Sequence, residues 1–181
     1  FGMVCGIYGF GMWLPSIITA ISGDDILRVS LIALIPYGLA ALLVYPWSML
    51  ASKTRKIAVF AGISMVVAAL GLAGAVVFFK FNVAISLSFL TIAAIGIYTA
   101  VPCFLSMPAN VSAGAATAAG LAVVSCIGNL GGFVAPYVVG LLNDFSHSST
   151  PGLIFLAMCL LITGLICIFY CARQREGVIQ S

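Results

Sequence analysis

The side chains able to do chemistry in this chain are few and mostly neutral. Asn129 stands inside CIGNLGGFVAP (126–136), one amide among Gly128, Gly131, Gly132 and Pro136. A side-chain amide offers two donors and an acceptor, and burying it without partners is costly. On a helix, Ala118, Ala122, Ser125, Asn129, Gly132 and Pro136 share one face, while Val123, Ile127, Leu130 and Val134 turn elsewhere. A small, mildly polar face suits a cavity wall that hydrogen-bonds a solute. It equally suits an amide that ties one helix to its neighbour, and the residues leave both readings open. Catalysis is not expected: four acids, seven basic residues and one histidine, scattered over 181 positions, make no acid–base or metal-ligating group. Cys5, Cys103, Cys126, Cys159, Cys167 and Cys171 show no C-x-x-C spacing and no nearby histidine, so they read as packing residues. Cys171 is also a candidate for acylation. His147 reads as a solvated loop residue, with a pH-sensing role as the alternative. No cofactor, metal or nucleic acid is implied.

The elements that must position these groups are set by hydropathy. Hydrophobic residues make up 64% of the chain and charged residues 6%, with no charge between Lys56 and Lys80 or between Lys80 and Asp144. Soluble proteins are roughly 45–50% apolar, and each crossing of a bilayer core takes about 20 apolar helical residues. The composition therefore predicts an all-α membrane protein with six transmembrane helices over about 1–22, 28–50, 57–79, 84–105, 115–142 and 152–171. Together they form one bundle, 1–172, followed by a short tail, 173–181. Barrel strands would be shorter and would alternate in polarity. Lys53, Arg55 and Lys56 fall on the same side as Arg173 and Arg175, which puts that side and the C-terminus in the cytoplasm. The glycosylation pattern Asn110-Val-Ser112 falls on the same side and is discounted.

Helix breakers recur in matched places. Gly9, Gly11 and Pro15 in the first span answer to Gly96 and Pro102 in the fourth. Pro36, Gly38 and Pro46 in the second answer to the 126–136 motif in the fifth. The third and sixth spans carry glycine but no internal proline. Paired interruptions point to a transporter of 3+3 inverted repeats, with its site where broken helices meet near mid-membrane.

YGFGMWLPSII (8–18) and AAGLAVVSCIGNLGGFVAPYVVGLLND (118–144) resemble the anion:cation symporter family of the major facilitator superfamily, whose members carry phthalate, tartrate and sugar acids. The resemblance runs over the whole chain, as the last six helices of a twelve-helix protein. It implies that this half contacts the substrate chiefly through Asn129, with Tyr8 and Trp13 at the family's aromatic positions on the first span. Ser125, Tyr37 and Tyr98 would complete a neutral wall. Two positions depart from the family pattern. CFLSMP (103–108) keeps Phe104 and Pro108 but has Leu105 where the family has Trp, so a stacking role there is not carried over. SMLASKTRK (48–56) has Ser48 for a Gly and Ser52 for an Asp, and lacks the carboxylate of the family's cytoplasmic latch.

No charged residue lies deep in a span, although an organic anion favours a cationic partner and proton coupling an intramembrane acid. The expected function is therefore transport of a small organic anion, a sugar acid or other carboxylate, by proton-coupled symport and alternating access in the inner membrane. The charged groups would come from an N-terminal six-helix half. The chain opens at Phe1 inside an apolar run, which leaves an alternative open: a truncated transporter remnant or accessory six-helix protein without transport activity.

Overall fold

The computed structural model of the chain describes residues 1–22, 25–79, 81–106, 115–146, 148 and 150–179. Six helices follow in order: α1 (Gly2–Ser22), α2 (Ile26–Thr54), α3 (Ile57–Phe78), α4 (Val83–Ser106), α5 (Ala115–Ser146) and α6 (Thr150–Ile179). Five contain segments long and apolar enough to cross a membrane, and Gly2–Met12 of α1 adds a shorter apolar stretch. At 1.5 Å per residue the 29 residues of α2 reach about 43 Å, longer than a bilayer core of about 30 Å.

The helix ends follow from local chemistry. Asp25 caps α2, its carboxylate accepting from Leu27 N at 3.1 Å, and it also meets Arg28 Nε at 3.4 Å across an exposed i, i+3 pair. Asn82 caps α4 by accepting from Ala84 N at 2.9 Å. At the other end of α2, Arg55 adopts φ 54°, the left-handed conformation that reverses the chain, and α3 starts two residues later. Glycine is the usual residue at such a helix stop because a Cβ is strained there.

Two expectations need correction. The glycines and prolines do not interrupt the helices: Pro15, Pro36, Pro46, Pro102 and Pro136 all lie inside continuous helices. A membrane helix tolerates proline because neighbouring helices and local adjustments satisfy the freed carbonyl, and leaving the helix would expose far more backbone to lipid. The spans also run longer than their apolar cores. α2 continues to Thr54, α5 to Ser146 and α6 to Ile179, so most of the 173–181 tail prolongs the last helix.

What glycine does instead is let helices approach. A Cβ on Gly71 of α3 would stand 2.6 Å from the Ala93 nitrogen of α4, and one on Gly96 of α4 would stand 2.5 Å from the Ser64 oxygen of α3. Gly62 and Gly164 join α3 to α6 in the same way, each Cβ position falling 2.8–2.9 Å from the other's carbonyl oxygen. Polar links reinforce the α3–α4 seam: Ser86 Oγ donates to Ala75 O at 3.1 Å, and Thr99 Oγ1 to Ser64 Oγ at 3.3 Å. The main core runs through Phe10, Leu14 and Ile18 of α1, Met65 and Leu72 of α3, Leu90 and Ile97 of α4, and Leu156 and Leu160 of α6.

The packing has the pattern of the 3+3 repeat. α1 packs on α5 and α6, α4 packs on α2 and α3, and α3 and α6 pack together. Exchanging the first three helices with the last three carries the α1 pairings onto the α4 pairings and the α3–α6 pair onto itself. Each triplet therefore lends its first helix to the other. α2 and α3, though joined by only two residues, barely touch.

Candidate functional site

The wall that could meet a solute is built where α1, α2, α4 and α5 adjoin. Its α1–α5 seam rests on the motif around Asn129. A Cβ on Gly131 would meet the Phe1 carbonyl oxygen at 2.8 Å and Cys5 Sγ at 3.0 Å, while Cys5 Sγ donates to the Gly131 oxygen at 3.6 Å. Gly128, Gly131, Ala135 and Val139 form the buried stripe of α5. One step round the helix, Ser125 and Asn129 are exposed. With Met3 and Val4 of α1, Phe104 and Leu105 of α4, and Val124 of α5 they line a cleft of about 180 Å³.

This corrects the register of the small face. Leu121, Val124, Ser125, Gly128 and Asn129 turn toward the cleft. Of the expected stripe Ala118, Ala122, Ser125, Asn129, Gly132 and Pro136, only Ser125 and Asn129 do so. Gly132 is covered by the Tyr8 ring, whose Cδ2 lies 2.9 Å from the glycine's Cβ position. The seam, not the polarity of the face, sets the rotation of α5: the residues that let α1 approach must point at α1, and the cleft-lining set follows from that. The apolar members Met3, Val4, Leu121 and Val124 were not among the expected site residues. In a chain this apolar, composition does not separate wall from core.

Tyr8, half exposed, lies against α5 at Gly132. Tyr37 of α2 and Tyr98 of α4 pair edge-to-face with ring centroids 5.7 Å apart, and both hydroxyls lie 3.9 Å from the Cβ position of Gly11 on α1. A Cβ there would be in ordinary contact with the pair. The structure thus brings Ser125 and Asn129 together at the cleft and pairs Tyr37 with Tyr98, while Tyr8 packs on Gly132 and does not line that cleft. The side chain of Trp13 lies outside the described residues, as do His147, Pro108 and the Asn110–Ser112 pattern.

The site is uncharged. Among the described residues, Asp25, Arg28, Lys53, Arg55, Lys56 and Asp144 all sit at or near helix ends, and no group of three His, Cys, Asp or Glu could hold a metal. Of the cysteines, Cys5, Cys103 and Cys167 are buried as packing residues, whereas Cys126 is exposed. What the wall can do is offer one amide, one serine hydroxyl and the tyrosine hydroxyls in an apolar setting, where such hydrogen bonds orient a ligand.

No family model matches the chain and no solved structure matches it. Curated relatives do. The chain is 35% identical, over 98% of its length, to a protein of Agrobacterium vitis named as a tartrate transporter. It is 31% identical over 94% to the quinolone resistance transporter of Acinetobacter baumannii, and 28% identical over 97% to the inner membrane transport protein RhmT of Escherichia coli. The chain spans about two fifths of the length of these relatives. It is an all-helical, multi-pass membrane protein homologous to bacterial membrane transporters.

Proposed function

We propose that the chain forms the C-terminal six-helix half of an anion:cation symporter of the major facilitator type. It carries a small organic anion, a sugar acid or other carboxylate, together with a proton by alternating access across the inner membrane, its C-terminus in the cytoplasm. The observation that supports this most is the Asn129 cleft, an exposed amide and hydroxyl in an uncharged concave wall of a chain whose relatives are named for transport. Asn129 and Ser125 orient the solute, and Tyr8, Trp13, Tyr37 and Tyr98 supply neutral contacts. The cation that attracts the anion and the acid that takes the proton belong to the N-terminal half, since no charge lies deep in a described span.

The test is uptake of labelled tartrate and other sugar acids by cells making this half joined to its N-terminal half, with and without a proton gradient. Asn129→Ala removes a hydrogen-bonding group worth about 1 kcal/mol. It raises the KM roughly five- to tenfold while membrane insertion is unchanged. Gradient-driven accumulation by the six-helix chain alone would overturn the division of labour. Unaltered kinetics in the variant would return the amide to a packing role. Absence of uptake by the joined halves would favour the remnant or accessory reading.

A further inference from the structure

A second cavity lies away from the Asn129 wall. α2 and α3 leave the Arg55–Lys56 turn and diverge, and α4 closes the back of the gap. Near the turn, Ala51, Ala61 and Cys103 form a small separate core with Trp47 and Phe60, whose rings meet edge-to-face at 5.1 Å. Beyond that plug is a space of about 310 Å³, lined by Leu43, Pro46, Trp47 and Leu50 of α2, Ser64 of α3, and Ile95 and Thr99 of α4. Its surface is almost wholly apolar, because the Ser64 and Thr99 hydroxyls are turned into each other and into backbone carbonyls. Trp47 Nε1 is buried beside it without a hydrogen-bond partner. An uncharged space of this kind repels the hydrated anion assigned to the other wall.

Depth and charge identify a better occupant. Leu50 lies four residues and Leu43 eleven before Thr54, the last residue of α2. At 1.5 Å per residue the cavity therefore runs from about 6 to about 16 Å below the helix end, close to the hydrocarbon depth of one leaflet. Lys53, Arg55 and Lys56 are exposed at that end. Trp47 stands about 10 Å down, between Leu50 and Leu43 on the cavity wall.

We propose that the gap between α2 and α3 is a binding site for an anionic phospholipid. One acyl chain fills the space between Leu43, Pro46, Leu50 and Ile95, and the phosphate headgroup lies against Lys53, Arg55 and Lys56. Such a lipid fills the gap between two helices whose slight contact lies near their joining turn. Its hold on the bundle is distinct from that of the transported solute.

Tryptophan fluorescence tests this directly, because the chain has two tryptophans and Trp13→Phe leaves Trp47 alone. The purified protein is placed in phosphatidylcholine vesicles containing increasing fractions of dibrominated phosphatidylglycerol or dibrominated phosphatidylcholine. Half-quenching of Trp47 is expected at a fraction of the glycerol lipid at least about threefold lower than of the choline lipid, with the difference shrinking as salt rises. Lys53→Gln with Lys56→Gln removes the preference. Leu43→Phe, which fills the mouth of the cavity from an exposed position, weakens quenching by both lipids. Equal quenching by the two lipids in the parent protein, or a preference that survives the lysine substitutions, overturns the proposal.

Discussion

Asn129 carries more of the account than any other residue, and its neighbours explain why it is exposed. α5 must turn Gly128, Gly131 and Ala135 toward α1, because only small residues permit that approach, and the amide is then left on the open flank. The seam is correspondingly intolerant. Gly131→Ala puts a methyl against the Phe1 carbonyl and Cys5, backbone and buried sulfur that cannot move aside. It costs on the order of 1–3 kcal/mol in an unfolding titration and loosens the α1–α5 pair. Gly132→Ala meets the Tyr8 ring, a half-exposed side chain that can swing. Its cost in the same titration is smaller, and its effect falls on uptake, because Tyr8 packs on the helix that carries Asn129. Equal loss of stability in both variants would contradict this division of roles. At this scale the sequence was legible in kind rather than in register. Asn129 and Ser125 line one cleft, but period-3.6 reasoning grouped Ala122 and Pro136 with them in place of Leu121 and Val124. Polarity could not choose between two faces that differ by less than one turn of rotation.

At the scale of helices, hydropathy located all six, since uncharged apolar runs of this length have few other solutions. The turn between α2 and α3 was visible as a basic joint, but not that Arg55 would take a left-handed conformation. Arg55→Gly relieves a strain of about 1 kcal/mol or more, so it stabilises the chain toward denaturant. A destabilised variant would show that the arginine side chain makes a contact that outweighs its backbone cost. The glycines were read as breakers and act as spacers, a distinction that depends on what lies across the helix. Gly71 faces the Ala93 backbone, whereas nothing lies within 4 Å of the Cβ position of Gly38. Gly71→Ala therefore destabilises by about 1–3 kcal/mol, while Gly38→Ala is neutral or stabilising by up to about 1 kcal/mol. Similar effects at the two sites would mean that helix propensity, and not interhelical distance, governs both.

The whole molecule leaves a great deal of apolar surface uncovered, and its distribution is uneven. α3 buries nine described residues between α4 and α6, whereas α2 and much of α5 stay open. Lipid covers some of that surface. The repeat pattern of helix pairs, the neutral cleft and relatives more than twice as long are what support the proposal that the α1, α2, α4 and α5 wall meets a second six-helix bundle. Hydropathy and matched triplets made the bundle legible from sequence. The cleft beside Asn129 was not, because a cavity is a relation between helices that no single stretch of chain encodes.

The most direct test asks whether water reaches the Asn129 wall. Ser125→Cys and Asn129→Cys, each in an otherwise cysteine-free version of the joined halves in native membranes, are exposed to a membrane-impermeant charged thiol reagent. Rapid modification at both positions, slowed by added transported anion, is the predicted result. Thiols at 125 and 129 that remain unmodified, with or without that anion, would place this face against lipid or sealed protein and contradict the account.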